Sequence, residues 1–114
     1  MMENIRFFKA LCDPNRLRIL KMLQTRVLCV CELTEALGLA ASTVSNHCKV
    51  LKEAGFLIEK KDGKWVNYGL NPAPADERIP RFLNELDFWL ADKGDSIKWQ
   101  ETACRVDRNV ICCR

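Results

Sequence analysis

The sequence predicts a mainly helical domain carrying one β-hairpin. Three observations predict it. Apolar residues recur at helical spacing in five separate segments, prolines and glycines punctuate those segments, and Asp62-Gly63 sits between two β-prone runs. At 114 residues, one compact domain is expected. Apolar residues form 48% of the chain and charged residues 29%, which excludes a disordered chain. No apolar run nears the roughly 20 residues of a membrane span, so no membrane partner is expected. The start, Met1 to Arg6, lacks the basic-then-apolar layout of an export signal. A cytoplasmic protein is therefore expected. In that reducing compartment seven cysteines point to metal, redox or catalytic work, or plain burial, rather than a disulfide framework.

In order along the chain, Ile5, Phe8 and Cys12 form one stripe of a first helix, and Cys12 is expected to be buried there. Asp13-Pro14 reads as an N-cap followed by proline at the first helical position. The second helix, Asn15 to Gln24, aligns Leu17, Leu20 and Leu23. A third short helix runs from about Cys29 or Glu32 to Leu37 and stops at Gly38. Ser42 is a good N-cap for a fourth helix reaching Ala54, on which Val44, Cys48 and Leu51 face the core. Two β-prone runs flank Asp62-Gly63. After Asn71-Pro72-Ala73-Pro74 a last long helix is expected from about Asp76 to Asp92, striped with Ile79, Phe82, Leu83, Leu86, Trp89 and Leu90. The chain divides into a folded unit, residues 1–94, and a weakly patterned, cysteine-bearing tail, residues 95–114.

Two helices joined by a tight glycine-containing turn form a helix-turn-helix, whose second helix enters the major groove of DNA. Here the pair is about Glu32–Gly38 and Ser42–Ala54. Ser42, Thr43, Ser45, Asn46, His47 and Lys49 are the candidate contacts on the second helix, short hydrogen-bonding groups plus a cation suited to base edges and phosphates. Lys60, Lys61 and Lys64 near the hairpin tip would touch backbone phosphate as a wing. Net charge of +3 permits a polyanionic partner without requiring one. The ordered series of helix, turn, helix and hairpin carries the reading more than charge does. The predicted fold is a winged helix-turn-helix of about five helices and a two-stranded hairpin.

Asp13-Pro14-Asn15-Arg16-Leu17-Arg18-Ile19-Leu20, Leu28-Cys29-Val30-Cys31-Glu32-Leu33 and the run Ser42 to Gly55, with the wing segment Lys61 to Tyr68, resemble the ArsR/SmtB family of metal-sensing repressors. The resemblance covers about residues 4 to 92 in one order. It implies a homodimer built from the first and last helices, bound to double-stranded operator DNA and released by an inducer, with no required cofactor and no small organic substrate.

Cys29-Val30-Cys31 is the sharpest chemical feature. In the resembled family such a pair carries arsenite and antimonite, or cadmium and lead. Thiolates are soft ligands that select soft ions. A helix N-terminus is expected to lower a thiol pKa and favour the binding form. Residues two apart on a helix lie about 200° apart, so both sulfurs reach one ion only if the first turn is unwound or extended. Capture that distorts this segment would exclude the DNA-competent shape. The same two cysteines also read as buried small residues ahead of a helix.

Arsenic repressors of the family commonly place a third cysteine three residues further on, where this chain has Thr34. Cys104, Cys112 and Cys113 in the tail are the candidates for a third ligand, a separate site, or exposed thiols. Cys48 reads as core. Zinc is disfavoured because the one histidine, His47, lies in the recognition helix. A cadmium- or lead-responsive repressor, or a thiol-redox or persulfide sensor, is the alternative within the same fold. No Cys-x-x-Cys, nucleophile elbow, Walker loop or His-Glu-x-x-His is present, so an enzyme is not expected.

Overall fold

A computed structural model of the chain describes residues 2–89 and 93–106. The elements run α1 (Met2–Leu11), α2 (Pro14–Leu23), β1 (Leu28–Cys29), α3 (Val30–Leu37), α4 (Ala41–Glu53), β2 (Leu57–Asp62), β3 (Trp65–Leu70), α5 (Arg78–Asn84), α6 (Leu86–Trp89) and α7 (Lys93–Arg105). The expected helix-turn-helix is α3 and α4, and the expected wing is β2 and β3. Gly38 ends α3 with φ +68°, a left-handed position that suits glycine. Among the described residues no helix is long and apolar enough to cross a membrane.

The α1 to β3 frame encloses one core. Ile19 and Leu20 of α2, Leu33 of α3, and Val44, Cys48 and Leu51 of α4 are buried together with Phe56. Phe7 stacks on Phe56 with ring centroids 5.4 Å apart, and Phe82 meets both rings edge-on at 6.4 Å. Burying such rings is worth a few kcal/mol each from area alone. Cys12 is exposed, not buried: α1 ends at Leu11, so Cys12 lies beyond the helix whose stripe would have carried it inward.

Asp13 caps α2 as its sequence predicts, its Oδ1 accepting from the backbone N–H of Asn15 at 2.7 Å and of Arg16 at 3.3 Å. The start of α4 differs from expectation. Ala40 is the N-cap, extended at φ −66°, ψ 147°, and its carbonyl accepts the Val44 N–H at 3.1 Å. Ser42 therefore lies inside the first turn, exposed.

The sheet holds three strands rather than two, in the order β1-β3-β2. β1 pairs Leu28 with Tyr68 and Cys29 with Asn67, antiparallel to β3. Two residues are too few to show alternation, so β1 has no sequence signature.

The helix expected over 76–92 begins at Arg78, where Asp76 Oδ1 accepts the Arg78 N–H at 2.9 Å. It breaks at Glu85, whose backbone sits at φ −102°, ψ 9°. The break turns fully buried Leu86 into the core as α6 begins. Pro80 is tolerated in the first turn of α5, where its missing N–H has no intrahelical acceptor to lose.

Most of α7 falls in the weakly patterned tail. Ala103 is fully buried in the core, and Trp99 and Val106 pack against it. The Arg18 guanidinium lies 5.2 Å over the Trp99 ring, and Arg26 donates to the Ala103 and Val106 carbonyls at 3.3 and 3.0 Å. A cation at the carbonyl end of a helix satisfies its orphan acceptors and opposes its dipole.

Candidate nucleic-acid interface and thiol pair

On α4, Ser42, Thr43, Asn46 and Lys49 are exposed and Ser45 is half-buried, opposite buried Val44, Cys48 and Leu51. The amphipathic period of the helix thus leaves one continuous polar face. Lys60, Lys61 and Lys64 are exposed around the hairpin turn. His47 points elsewhere: its side chain is 11% exposed and lies against α2, with Nδ1 3.2 Å from Arg16 Nη1 and Nε2 4.0 Å from Asp13. Arg16 also donates to the Ala10 and Lys9 carbonyls, both at 2.8 Å. One guanidinium therefore ties the end of α1, α2 and the recognition helix together, a fan of donors that a lysine lacks.

The thiol pair sits at the joint between sheet and helix. Cys29 is the N-cap of α3, extended at φ −85°, ψ 166°, and Cys31 is in the first turn. Because Cys29 stands outside the helix, the 200° separation does not apply. The two sulfurs are 2.8 Å apart. Cys29 is a free thiol, whereas Cys31 carries a disulfide in this structure.

Glu32 builds this corner. Its Oε1 accepts the Cys29 backbone N–H at 3.0 Å, and its Oε2 pairs with Arg26 at 2.9 Å, with Glu32 itself 1% exposed. The expected lowering of the thiol pKa is not what the structure gives. Burial pushes the Cys29 thiol up, the Glu32 backbone N–H opposes this, and the Glu32 carboxylate adds to the rise. Cys29 is fully buried, so desolvation outweighs the helix terminus.

A pocket of about 410 Å³ opens beside the sulfurs, walled by Val30, Thr34 and Ala41 on one side and by Lys64, Trp65 and Val66 of the wing on the other. Thr34, one turn beyond Cys31, donates its hydroxyl to the Val30 carbonyl at 2.8 Å. No sequence pattern signals that the turn end of the hairpin forms a wall of this pocket, because the approach depends on the β1–β3 pairing. Cys104 is exposed on α7 in a different hollow, with Thr25 and Glu101. Cys112 and Cys113 lie outside the described residues. Among the described residues no group of three or more His, Cys, Asp or Glu is placed to hold a metal ion. Cys48, buried on α4, has its thiol pushed up to about 12 by burial and stays a core residue, as its position predicts.

This architecture is that of the winged helix-turn-helix regulators. The reduced HlyU protein of Vibrio cholerae superposes with a TM-score of 0.66 at 26% identity, over 80% of this chain and 92% of that one. The antimony-specific repressor AntR matches with a TM-score of 0.61 at 30% identity, over 82% and 80%. Residues 13–59 match the family described as bacterial regulatory protein, arsR family. The arsenic resistance transcriptional regulator ArsR1 of Pseudomonas putida is 35% identical over 109 residues, 92% of this chain and 84% of that protein. The chain belongs to the ArsR family of transcriptional regulators, which are DNA-binding proteins and not enzymes.

Proposed function

We propose that the protein is a cytoplasmic repressor that binds operator DNA as a homodimer and releases it when Cys29 and Cys31, both reduced, capture arsenite or antimonite. The observation that carries this reading is the sulfur pair 2.8 Å apart at the head of the helix that supports α4. Two soft donors preplaced this closely need no unwinding to share one soft ion. The names of ArsR1 and AntR point to the same class of inducer. Ser42, Thr43, Ser45, Asn46 and Lys49 read the groove, Lys60, Lys61 and Lys64 hold phosphate, and His47 positions α4 from behind. Exposed Ile5, Phe8 and Phe88 provide apolar surface for a second copy. Cys104, Cys112 and Cys113 are the sources of any further sulfur.

Titrating the reduced protein on labelled operator DNA with arsenite tests the proposal. Release is expected for the parent, and undiminished binding without release for Cys29→Ser and Cys31→Ser. Arsenite release by both variants would overturn it.

The Cys31 disulfide favours a second reading, release by thiol oxidation. The solved HlyU neighbour is described as reduced. Oxidant that releases DNA while arsenite does not would select that reading.

A further inference from the structure

We propose that residues 107–114 return to the head of α3 and are latched there by a disulfide from Cys31 to one of the two adjacent tail cysteines, Cys112 or Cys113. Two independent observations carry it. The first is the cysteine inventory. The chain has seven, of which Cys12, Cys29, Cys48 and Cys104 are free thiols and Cys31 is disulfide-bonded. Within the chain that leaves Cys112 and Cys113 as partners. The second is where the described chain ends. The Val106 carbonyl accepts from Arg26 Nη1 at 3.0 Å, and Nη2 of the same guanidinium meets Glu32 Oε2 at 2.9 Å. Glu32 Oε1 in turn holds the Cys29 N–H at 3.0 Å. One guanidinium and one carboxylate thus separate Val106 from the strand–helix joint that carries Cys31. The stretch from Val106 to Cys112 can span about 20 Å when extended, enough to cover that separation.

Cys31 is half-buried beside the pocket of about 410 Å³, whose walls, Val30, Ala41 and Val66 among them, are largely apolar. A bond at Cys112 or Cys113 brings Val110 and Ile111 to that apolar space. The latch forms by exchange with a low-molecular-weight disulfide such as glutathione disulfide. One chain thiolate attacks it and expels one small thiol, and the second chain thiolate attacks the mixed disulfide and expels the other. Two chain thiols are oxidised, one small disulfide is reduced, and the two protons leave on the small thiols. The free Cys29 sulfur lies 2.8 Å from that of Cys31, and its attack would reopen the latch. Burial pushes the Cys29 thiol up, so little thiolate is there to attack. A latched chain has one sulfur of the pair occupied and cannot close a two-sulfur chelate until a reductant opens it. That consequence rests on the reading of Cys29 and Cys31 as the capturing thiols, whereas the latch itself does not.

To test the latch, the full chain is treated with glutathione disulfide, its free thiols are alkylated in denaturant, and an unreduced tryptic digest is weighed by mass spectrometry. Cleavage after Arg26, Lys49 and Arg108 puts Cys31 in peptide 27–49 and both tail cysteines in peptide 109–114. These two peptides are expected to be joined, with Cys29 and Cys48 alkylated, in a chain that runs as a monomer on a non-reducing denaturing gel. The link should vanish in Cys31→Ser and when Cys112→Ser and Cys113→Ser are combined, and the two single variants assign the sulfur. Operator binding by the reduced variants reports that they are folded. A digest without the joined peptide, or one in which it comes from a covalent dimer, overturns the latch. Arsenic retained through gel filtration after arsenite treatment reads the consequence separately, and the reduced parent is expected to keep about tenfold more than the latched one. A joined peptide with equal retention would uphold the latch and defeat the assignment of capture to Cys29 and Cys31.

Discussion

Cys29 stands opposite Asn67 in the β1–β3 pairing, so the strand that delivers the first sulfur is hydrogen-bonded to the wing. Trp65 and Lys64, at the near end of that wing strand, wall the pocket the sulfurs open into, with the Lys64 ammonium 5.0 Å over the Trp65 ring. On the proposed reading, an ion bound at Cys29 would act on the wing through one ladder, without unwinding α3. Arsenite binding is expected to slow amide exchange across residues 65–68 several-fold, by fixing the short β1 strand against them. Hydrogen-exchange mass spectrometry checks this. Unchanged exchange there, with arsenite bound, would remove the wing from the pathway.

Glu32 is the support of the thiol corner. Replacing it by alanine leaves the Cys29 N–H and the Arg26 guanidinium without their acceptor. Arg26 is 40% exposed and can be resolvated, so the full cost of a broken buried pair does not apply. Glu32→Ala is expected to lower stability by about 2 kcal/mol in urea unfolding, and Glu32→Gln by less, since its amide oxygen still accepts from Cys29. Equal losses for both would mean the carboxylate's charge, not the cap, is what matters.

Much of this frame is legible in the sequence, and the exceptions share one cause. Asp13-Pro14, Gly38 and Asp62-Gly63 act through local backbone chemistry, and the structure places a cap, a stop and a turn at each. β1, the Glu85 break and the docking of α7 are set by partners distant in sequence: Asn67 and Tyr68 for the strand, the core around Leu86 for the break, Arg18 and Arg26 for α7. The thiol pair follows the same division. Its spacing is visible in Cys29-Val30-Cys31, but its sulfur separation depends on Cys29 belonging to a strand that periodicity cannot show.

The lysines at the hairpin turn test the phosphate-contact assignment. Changing Lys60, Lys61 and Lys64 together to alanine is expected to weaken operator binding and to flatten the slope of log affinity against log salt by roughly 1 for each lysine on a phosphate. Affinity measured by fluorescence anisotropy across a salt series gives the slope. A slope identical to the parent's would place the hairpin away from DNA.

Arg16 offers a contrast, since it reaches α4 through His47 rather than through DNA. Arg16→Lys cannot keep the Ala10, Lys9 and His47 contacts at once. The variant is expected to lose on the order of 1–2 kcal/mol of stability and to weaken operator binding with the salt slope unchanged. A reduced slope would show instead that Arg16 touches phosphate.

The buried Cys48 thiol makes the fold sensitive to alkali. A thiol raised from 9.0 to about 12 stays protonated in the native state where the unfolded chain has already ionised. Its contribution is fully present below pH 9 and is lost as pH rises toward 12, because the unfolded state gains by releasing the proton first. Tyr68, raised from 10.0 to about 12 chiefly by burial, acts in the same direction over the upper part of that window. Unfolding free energy is therefore expected to fall by a few kcal/mol between pH 9 and pH 12. Cys48→Val keeps an apolar side chain between Val44 and Leu51 and removes the titrating group, so its stability should decline less steeply from pH 9 upward. Denaturant titrations of both proteins at stepped alkaline pH decide the point: parallel decline would show that Cys48 stays protonated in neither state's favour, and that Tyr68 or the surface charges drive the loss.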